Sequence, residues 1–222
     1  FLDTHAPLLL VQGEYHANGQ IQGEVFEWGS FMQSRMQRAG VVCADCHNPH
    51  SLRLRAEGNA VCAQCHLPAR FDTADHHHHP EDSPGAQCAS CHMPASTYMG
   101  VDRRRDHAFS LPRPEVAAAV GAPDACTSCH QGRSAGWAAE RIAEWFGPRR
   151  RDDPHWALAI QAGREGRPGA DAALAAIATD RAHPAILRAT AVSLLPMPPS
   201  QASAGAIGAT LLDPEPLVRA IE

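Results

Sequence analysis

Cys43-Ala-Asp-Cys-His-Asn-Pro-His50 places two thiols three positions apart, with an imidazole directly after the second. Two cysteines at that spacing can each add across one vinyl group of the same porphyrin. The adjacent histidine then falls under the iron and supplies one axial nitrogen, which is why C-x-x-C-H is the attachment signal of c-type haem. The pattern recurs as Cys62/Cys65 before His66, Cys88/Cys91 before His92 and Cys126/Cys129 before His130, so four copies consume all 8 cysteines. Disulfides need no histidine after every second cysteine. Structural zinc has no reason to repeat one at a fixed offset, and a thioredoxin-like redox pair occurs once per domain. The spacing predicts four covalently bound haems c, with His47, His66, His92 and His130 as the proximal ligands.

The rest of the composition agrees with a protein built around such groups. The chain has 222 residues, 44% of them hydrophobic but only 5% aromatic. That length suits one or two domains, and that apolar share suits a folded chain. Four porphyrins tied into residues 43–130 replace much of the protein core and supply its flat apolar bulk. The expected fold is mainly α with large irregular content and little sheet, with short helices at the motifs joined by loops and neighbouring haems packed edge to edge. All 19 basic residues are arginines. Schiff-base and P-loop chemistry, which need a lysine amine, are therefore excluded. A formal charge of −5 argues against a nucleic-acid partner. No run approaches the roughly 20 apolar residues of a transmembrane helix.

Each iron needs a ligand on its other side. Ten histidines remain after the proximal four: His5, His16, His50, His76, His77, His78, His79, His107, His155 and His183. In Cys-His-Asn-Pro-His50 the proline turns His50 away from its own haem, so that it can cap a neighbour. His107, in Arg-Asp-His-Ala-Phe, has an acidic neighbour able to orient its ring. His16 lies in a turn sequence before a helix. In the run His76 to His79, positions 76 and 79 fall on the same side of a helical turn, so His79 and His76 are the expected ligands and His77 and His78 face solvent. His155 and His183 read as surface residues. Met32 and Met36 lie one turn apart on an apparent helix and read as packing residues, and Met93 is too close to His92 to reach over that haem.

A different texture begins at residue 134, with no cysteine and abundant alanine. Trp137 to Phe146 has a helical apolar period and stops at Gly147-Pro148. After the charged linker Arg149 to Asp153, short amphipathic helices are expected over Ala172 to Thr179, Ala185 to Leu195 and Gln201 to Leu212. Pro184 suits a first turn, and Pro196 to Pro199 forms a break. Asp180-Arg-Ala-His-Pro-Ala-Ile-Leu-Arg188 is echoed by Asp213-Pro-Glu-Pro-Leu-Val-Arg219, at a spacing typical of helical-hairpin repeats. The expected organisation is a tetrahaem domain over residues 1–133 and a short HEAT-like helical region over residues 134–222.

Longer phrases carry a resemblance. Gly13-Glu-Tyr-His16, Glu24-Val-Phe-Glu-Trp-Gly-Ser-Phe31, Cys88-Ala-Ser-Cys-His-Met-Pro94, Arg104-Arg-Asp-His-Ala-Phe-Ser-Leu-Pro-Arg-Pro114 and Asp124-Ala-Cys-Thr-Ser-Cys-His130 resemble the multihaem cytochromes c fused to HEAT or tetratricopeptide repeats, a doubled C-x-x-C-H family. The resemblance spans roughly residues 10 to 147 and the helical tail. It implies bis-histidine haems, with roles for His50, the run His76 to His79 and His107. Members often carry further motifs upstream, for whose haem His16 or His5 would then serve.

These readings point to electron transfer through four mostly bis-histidine, low-spin haems c. The partners are redox proteins or identical subunits, the latter if the chain builds an extracellular conductive filament. A reductase with one open haem is the third reading, and the absence of lysine removes the lysine-ligated kind. Haem is attached to C-x-x-C-H outside the cytoplasm, so a periplasmic, cell-surface or extracellular location follows. Phe1 in place of a start methionine suggests a processed chain or a piece of a longer one.

Overall fold

The computed structural model describes residues 8–148 and 155–221 of the chain. Both His5 and the linker Arg149 to Asp153 lie outside the described residues. The chain enters through a loop closed by an isolated bridge between Tyr15 and Ile21. Two short helices follow, α1 (Glu27–Phe31) and α2 (Arg35–Arg38). The motif-bearing stretch then runs through α3 (Cys43–Cys46), a 3-10 segment Gly58–Gln64, α4 (Pro68–Phe71), α5 (Ala74–His77), a 3-10 turn Pro84–Ala86 and α6 (Cys88–His92). A two-stranded antiparallel hairpin, β1 (Ala95–Tyr98) and β2 (Asp102–Arg105), pairs Ala95 with Arg105. Then come α7 (Pro114–Ala119), α8 (Ala135–Phe146), α9 (Trp156–Arg164), α10 (Ala170–Thr179), α11 (Ala185–Ser193), α12 (Gln201–Thr210) and α13 (Pro216–Arg219). The protein is mainly helical with little sheet, as expected.

The tail helices form where local chemistry favours them. Ser134 caps α8 by accepting from the Trp137 amide at 3.1 Å, and Gly147, at φ 88°, ends it in a conformation that favours glycine. Ser200 caps α12 the same way, accepting from Ser203 N at 3.2 Å. Pro184 is the residue just before α11 rather than inside its first turn. Two helices escape the sequence reading. In α9 the buried face is only Ala157 and Ile160, and the cap is a histidine, His155, whose Nδ1 accepts from Ala157 N at 3.2 Å. In α7 a first-turn proline leads a run of alanines too short to show a period. Met32 and Met36 do not share a helix: Met32 follows the end of α1 and Met36 lies within α2.

One core unites both ends of the chain. Leu10, Tyr15, Ile21 and Tyr98 are buried with Ile160, Leu174, Ile186, Leu187 and Val218. Hydrogen bonds stitch the same contact: Leu10 N donates to Thr190 Oγ1 at 3.1 Å, and Arg164 Nη1 donates to the Tyr15 carbonyl at 3.0 Å. Residues on either side of 133/134 therefore share one apolar interior. α10 packs on α9, α11 and α12, and α11 packs on α13.

The two arginines of the sequence echo meet at one residue. Arg188, on α11, is buried and forks onto the Asp213 carboxylate, with Nη2 to Oδ1 at 3.0 Å. Arg219 Nη1 donates to the Asp213 carbonyl, so Asp213 receives the arginines of both copies. Hydrogen bonding from Arg188 holds the Asp213 carboxyl below its ordinary value. A depressed carboxyl stabilises the fold above its unfolded pKa of about 4, and that stabilisation is lost as pH falls through the folded value. Asp213→Ala, which strands a buried guanidinium, is expected to cost about 3 kcal/mol at neutral pH by denaturant unfolding. The gap between wild type and variant should narrow below pH about 4; a gap that persists at lower pH would count against an ionic pair.

Candidate haem-binding site

From Arg35 to Thr97 the only buried residue is Ala86. Large apolar side chains in and beside this stretch stand in the open, with Phe26 84%, Leu52 75% and Leu67 69% exposed. A stretch that buries so little apolar surface cannot offset its own ordering entropy. Flat apolar groups held at its cysteines would cover these side chains, so the residues present fit covalently attached porphyrin.

Each motif is a single turn fixed by backbone and side-chain hydrogen bonds. In the first, Arg55 Nε donates to the Ala44 carbonyl at 2.6 Å and Arg55 N to the Cys46 carbonyl at 2.9 Å. In the third, Arg105 Nη1 donates to the Ala89 and Met93 carbonyls at 2.9 and 3.0 Å, closing the end of α6. In the fourth, Asp124 Oδ1 accepts from the Cys126 and Thr127 amides, each at 2.9 Å. Asn59 ties the second motif to the third: its Oδ1 accepts from Cys88 N at 2.9 Å, while its Nδ2 donates to the Ala86 carbonyl at 2.9 Å and to Asp72 Oδ1 at 2.7 Å.

None of the eight cysteines is in a disulfide, and thiols of successive motifs lie near enough to influence one another. Burial pushes Cys46 up, and nearby Cys62 and Cys65 add to it. Cys88 shares a hydrogen bond with Cys62, which raises Cys88 and lowers Cys62 to about 7. Burial raises Cys91, assisted by Cys129; burial and Asp124 push Cys126 up to about 11, with Cys91 again nearby. The motifs thus adjoin one another in chain order, first to second, second to third, third to fourth.

Three of the C-x-x-C-H histidines have another histidine ring close by. His47 and His107 have ring centres 6.4 Å apart, His92 and His76 6.3 Å, and His130 and His79 5.9 Å. Backbone carbonyls anchor the Nδ1 of four of these rings: His47 on Leu52 at 2.9 Å, His107 on Arg105 at 2.9 Å, His92 on Ser110 at 3.1 Å and His79 on His77 at 2.5 Å. Among the described residues, the ring neighbour of His66 is Phe71, edge-on at 5.7 Å. His50 is exposed in a turn whose amides bond to Asn48 Oδ1. His16 is half-buried beside the helical core, and burial, followed by the charge of Arg164, lowers its pKa. Neither His16 nor His50 is brought against a proximal ring.

Several details differ from the sequence reading. His76 and His79 do not share one side of a helical turn, because α5 ends at His77 and His78 takes the left-handed region at φ 56°. The turn sends the two rings to different proximal histidines. His77 and His78 are not solvent-facing: His78 stacks on Trp145 at 4.2 Å, and His77 Nδ1 accepts from His79 N at 3.2 Å. Asp106 does not orient the His107 ring. It is buried, and it fixes the backbone by accepting from Ile21 N at 3.0 Å, Ser30 Oγ at 2.6 Å and Ala108 N at 2.8 Å. Ser30 Oγ in turn accepts from His107 N at 2.9 Å. The sequence signal for Asp106 and Asn59 is only that both are polar turn formers beside a ligand or a motif.

Residues 37–71, which contain the first two motifs, match the family model described as the doubled CXXCH motif. No curated protein and no solved structure matches the chain significantly. The match and the site's chemistry support a multihaem-type cytochrome c with covalently bound c-type haem and an electron-transfer role. Among the described residues no helix is long and apolar enough to cross a membrane.

Asp106→Ala removes the acceptor of three buried hydrogen bonds and is expected to cost about 3 kcal/mol, against about 1 kcal/mol for Ser30→Ala. Equilibrium unfolding of the two variants checks the order; a smaller loss for Asp106→Ala would sink its role as the anchor of the His107 segment.

Proposed function

We propose that this chain moves single electrons outside the cytoplasm through four haems c, one at each C-x-x-C-H motif, with most irons held by histidine on both faces. The observation that carries the reading is the stretch from Arg35 to Thr97, which carries three C-x-x-C-H motifs and only one buried residue. When bound, haem supplies a one-electron couple whose potential follows from its axial ligands and surroundings. The polypeptide supplies the rest. Cysteines hold the groups, backbone carbonyls set which imidazole nitrogen faces inward, and exposed apolar side chains such as Leu52 and Leu67 offer apolar surface for the groups to cover. Iron with a histidine on both faces has no position left for substrate, which favours an electron carrier over an enzyme. Redox proteins or identical copies are the partners. By chemistry the chain divides into a haem-bearing part, residues 1–133, and a helical part, residues 134–222, whose Asp213 echo favours a HEAT-like arrangement. The location follows from where thiols are joined to haem.

Intact-mass measurement of the mature protein tests the count. The expected result is the polypeptide plus four haem masses, with one mass lost on replacing both cysteines of any one motif by alanine. A mass without covalent haem, or with fewer than four groups, would falsify the tetrahaem reading.

A further inference from the structure

We infer the axial ligand map of three of the four haems: His107 completes the iron held by His47, His76 that held by His92, and His79 that held by His130. The inference rests on reading the motifs as haem attachment sites and goes beyond it by naming partners that sequence order does not suggest.

The geometry is that of imidazoles on opposite faces of one metal. Two metal–imidazole bonds of about 2 Å end to end hold ring centres about 6 Å apart. The three pairs lie at 6.4, 6.3 and 5.9 Å. Direct stacking looks different in the same chain: His78 lies on Trp145 at 4.2 Å with planes 11° apart. His76 and His92 are nearly as parallel, at 17°, yet 6.3 Å apart, too far for direct stacking and close to the spacing that two imidazole–iron bonds require. Tautomers agree as well. An Nδ1–H bonded to a carbonyl leaves Nε2 as the lone-pair nitrogen, the usual state of a metal-bound histidine. Each pair contains at least one ring so anchored: His47 and His107 in the first, His92 in the second, His79 in the third.

The map crosses the sequence. His107 lies between the third and fourth motifs but returns to the first haem, carried there by Asp106 and Ser30. The run between the second and third motifs serves the third and fourth haems. His76 leaves from α5, and the left-handed His78 redirects the chain so that His79 reaches the next iron. Gly85 makes room for it, since a Cβ there would lie 2.2 Å from the His79 ring. One short loop therefore grips two irons and sets their separation.

Electron paramagnetic resonance on the holoprotein tests the map. His107→Gly, His76→Gly and His79→Gly should each add one haem equivalent of high-spin ferric signal over the parent, removed again by added imidazole. Assignment comes from proteins lacking one haem. With Cys43→Ala and Cys46→Ala in place, His107→Gly adds no high-spin signal, whereas His76→Gly still does. Replacing Cys88 and Cys91 silences His76→Gly, and replacing Cys126 and Cys129 silences His79→Gly. The map is overturned if His107→Gly adds its signal undiminished in protein without the first haem, or if the three single variants remain low-spin. Should the three-haem proteins not fold, a crystal structure of the holoprotein decides, and any other residue on these three irons overturns the map. Failure of the underlying reading shows separately, as a parent mass lacking four haems.

Discussion

Between Arg35 and Thr97 the polypeptide buries one alanine, while leucines and a phenylalanine in and beside that stretch stand in solvent. Hydrophobic burial is the main term that offsets conformational entropy, and this segment has almost none of it within the protein alone. Its order has to come from groups held at the cysteines and from the hydrogen bonds that hold each motif as a turn. The other features follow from that constraint: short helices, a hairpin in place of a sheet, and histidines gathered in pairs instead of packed into a core.

The conventional core lies elsewhere and acts as a frame. Helices α9 to α13 bury Ile160, Leu174, Ile186 and Val218 and draw in Leu10, Tyr15 and Ile21 from the start of the chain. Through Ile21 that frame reaches Asp106, which also holds Ser30 and Ala108. A buried carboxylate with three donors is a rigid joint, because releasing any donor leaves a charge or an amide unsatisfied. That joint sets the backbone of His107. The helical tail thus positions an imidazole that lies opposite the first motif. A second tie runs from α8, where Trp145 stacks on His78 and Phe146 meets His76 edge-on at 6.0 Å.

Local chemistry made much of this legible. C-x-x-C-H is written in adjacent residues, so the four motifs and the chemistry of covalent haem attachment are legible in the sequence alone. The helices at Trp137, Ala185 and Gln201 were equally readable, because caps and apolar period are local signals. α9 carries little such signal, because its cap is a histidine and its buried face is two residues wide. The run His76 to His79 departs from the helical period because the left-handed His78 inside it turns the chain.

By itself the sequence determined the cofactor chemistry, since thiols and imidazole must be covalent neighbours to serve one porphyrin. It also determined the helical class and which histidines were available as further ligands. Which histidine faces which was decided only in three dimensions. Histidines that pair across the fold need be close only in space, and the contacts that bring their rings together run through Asp106, Ser30 and Gly85, outside the C-x-x-C-H motifs.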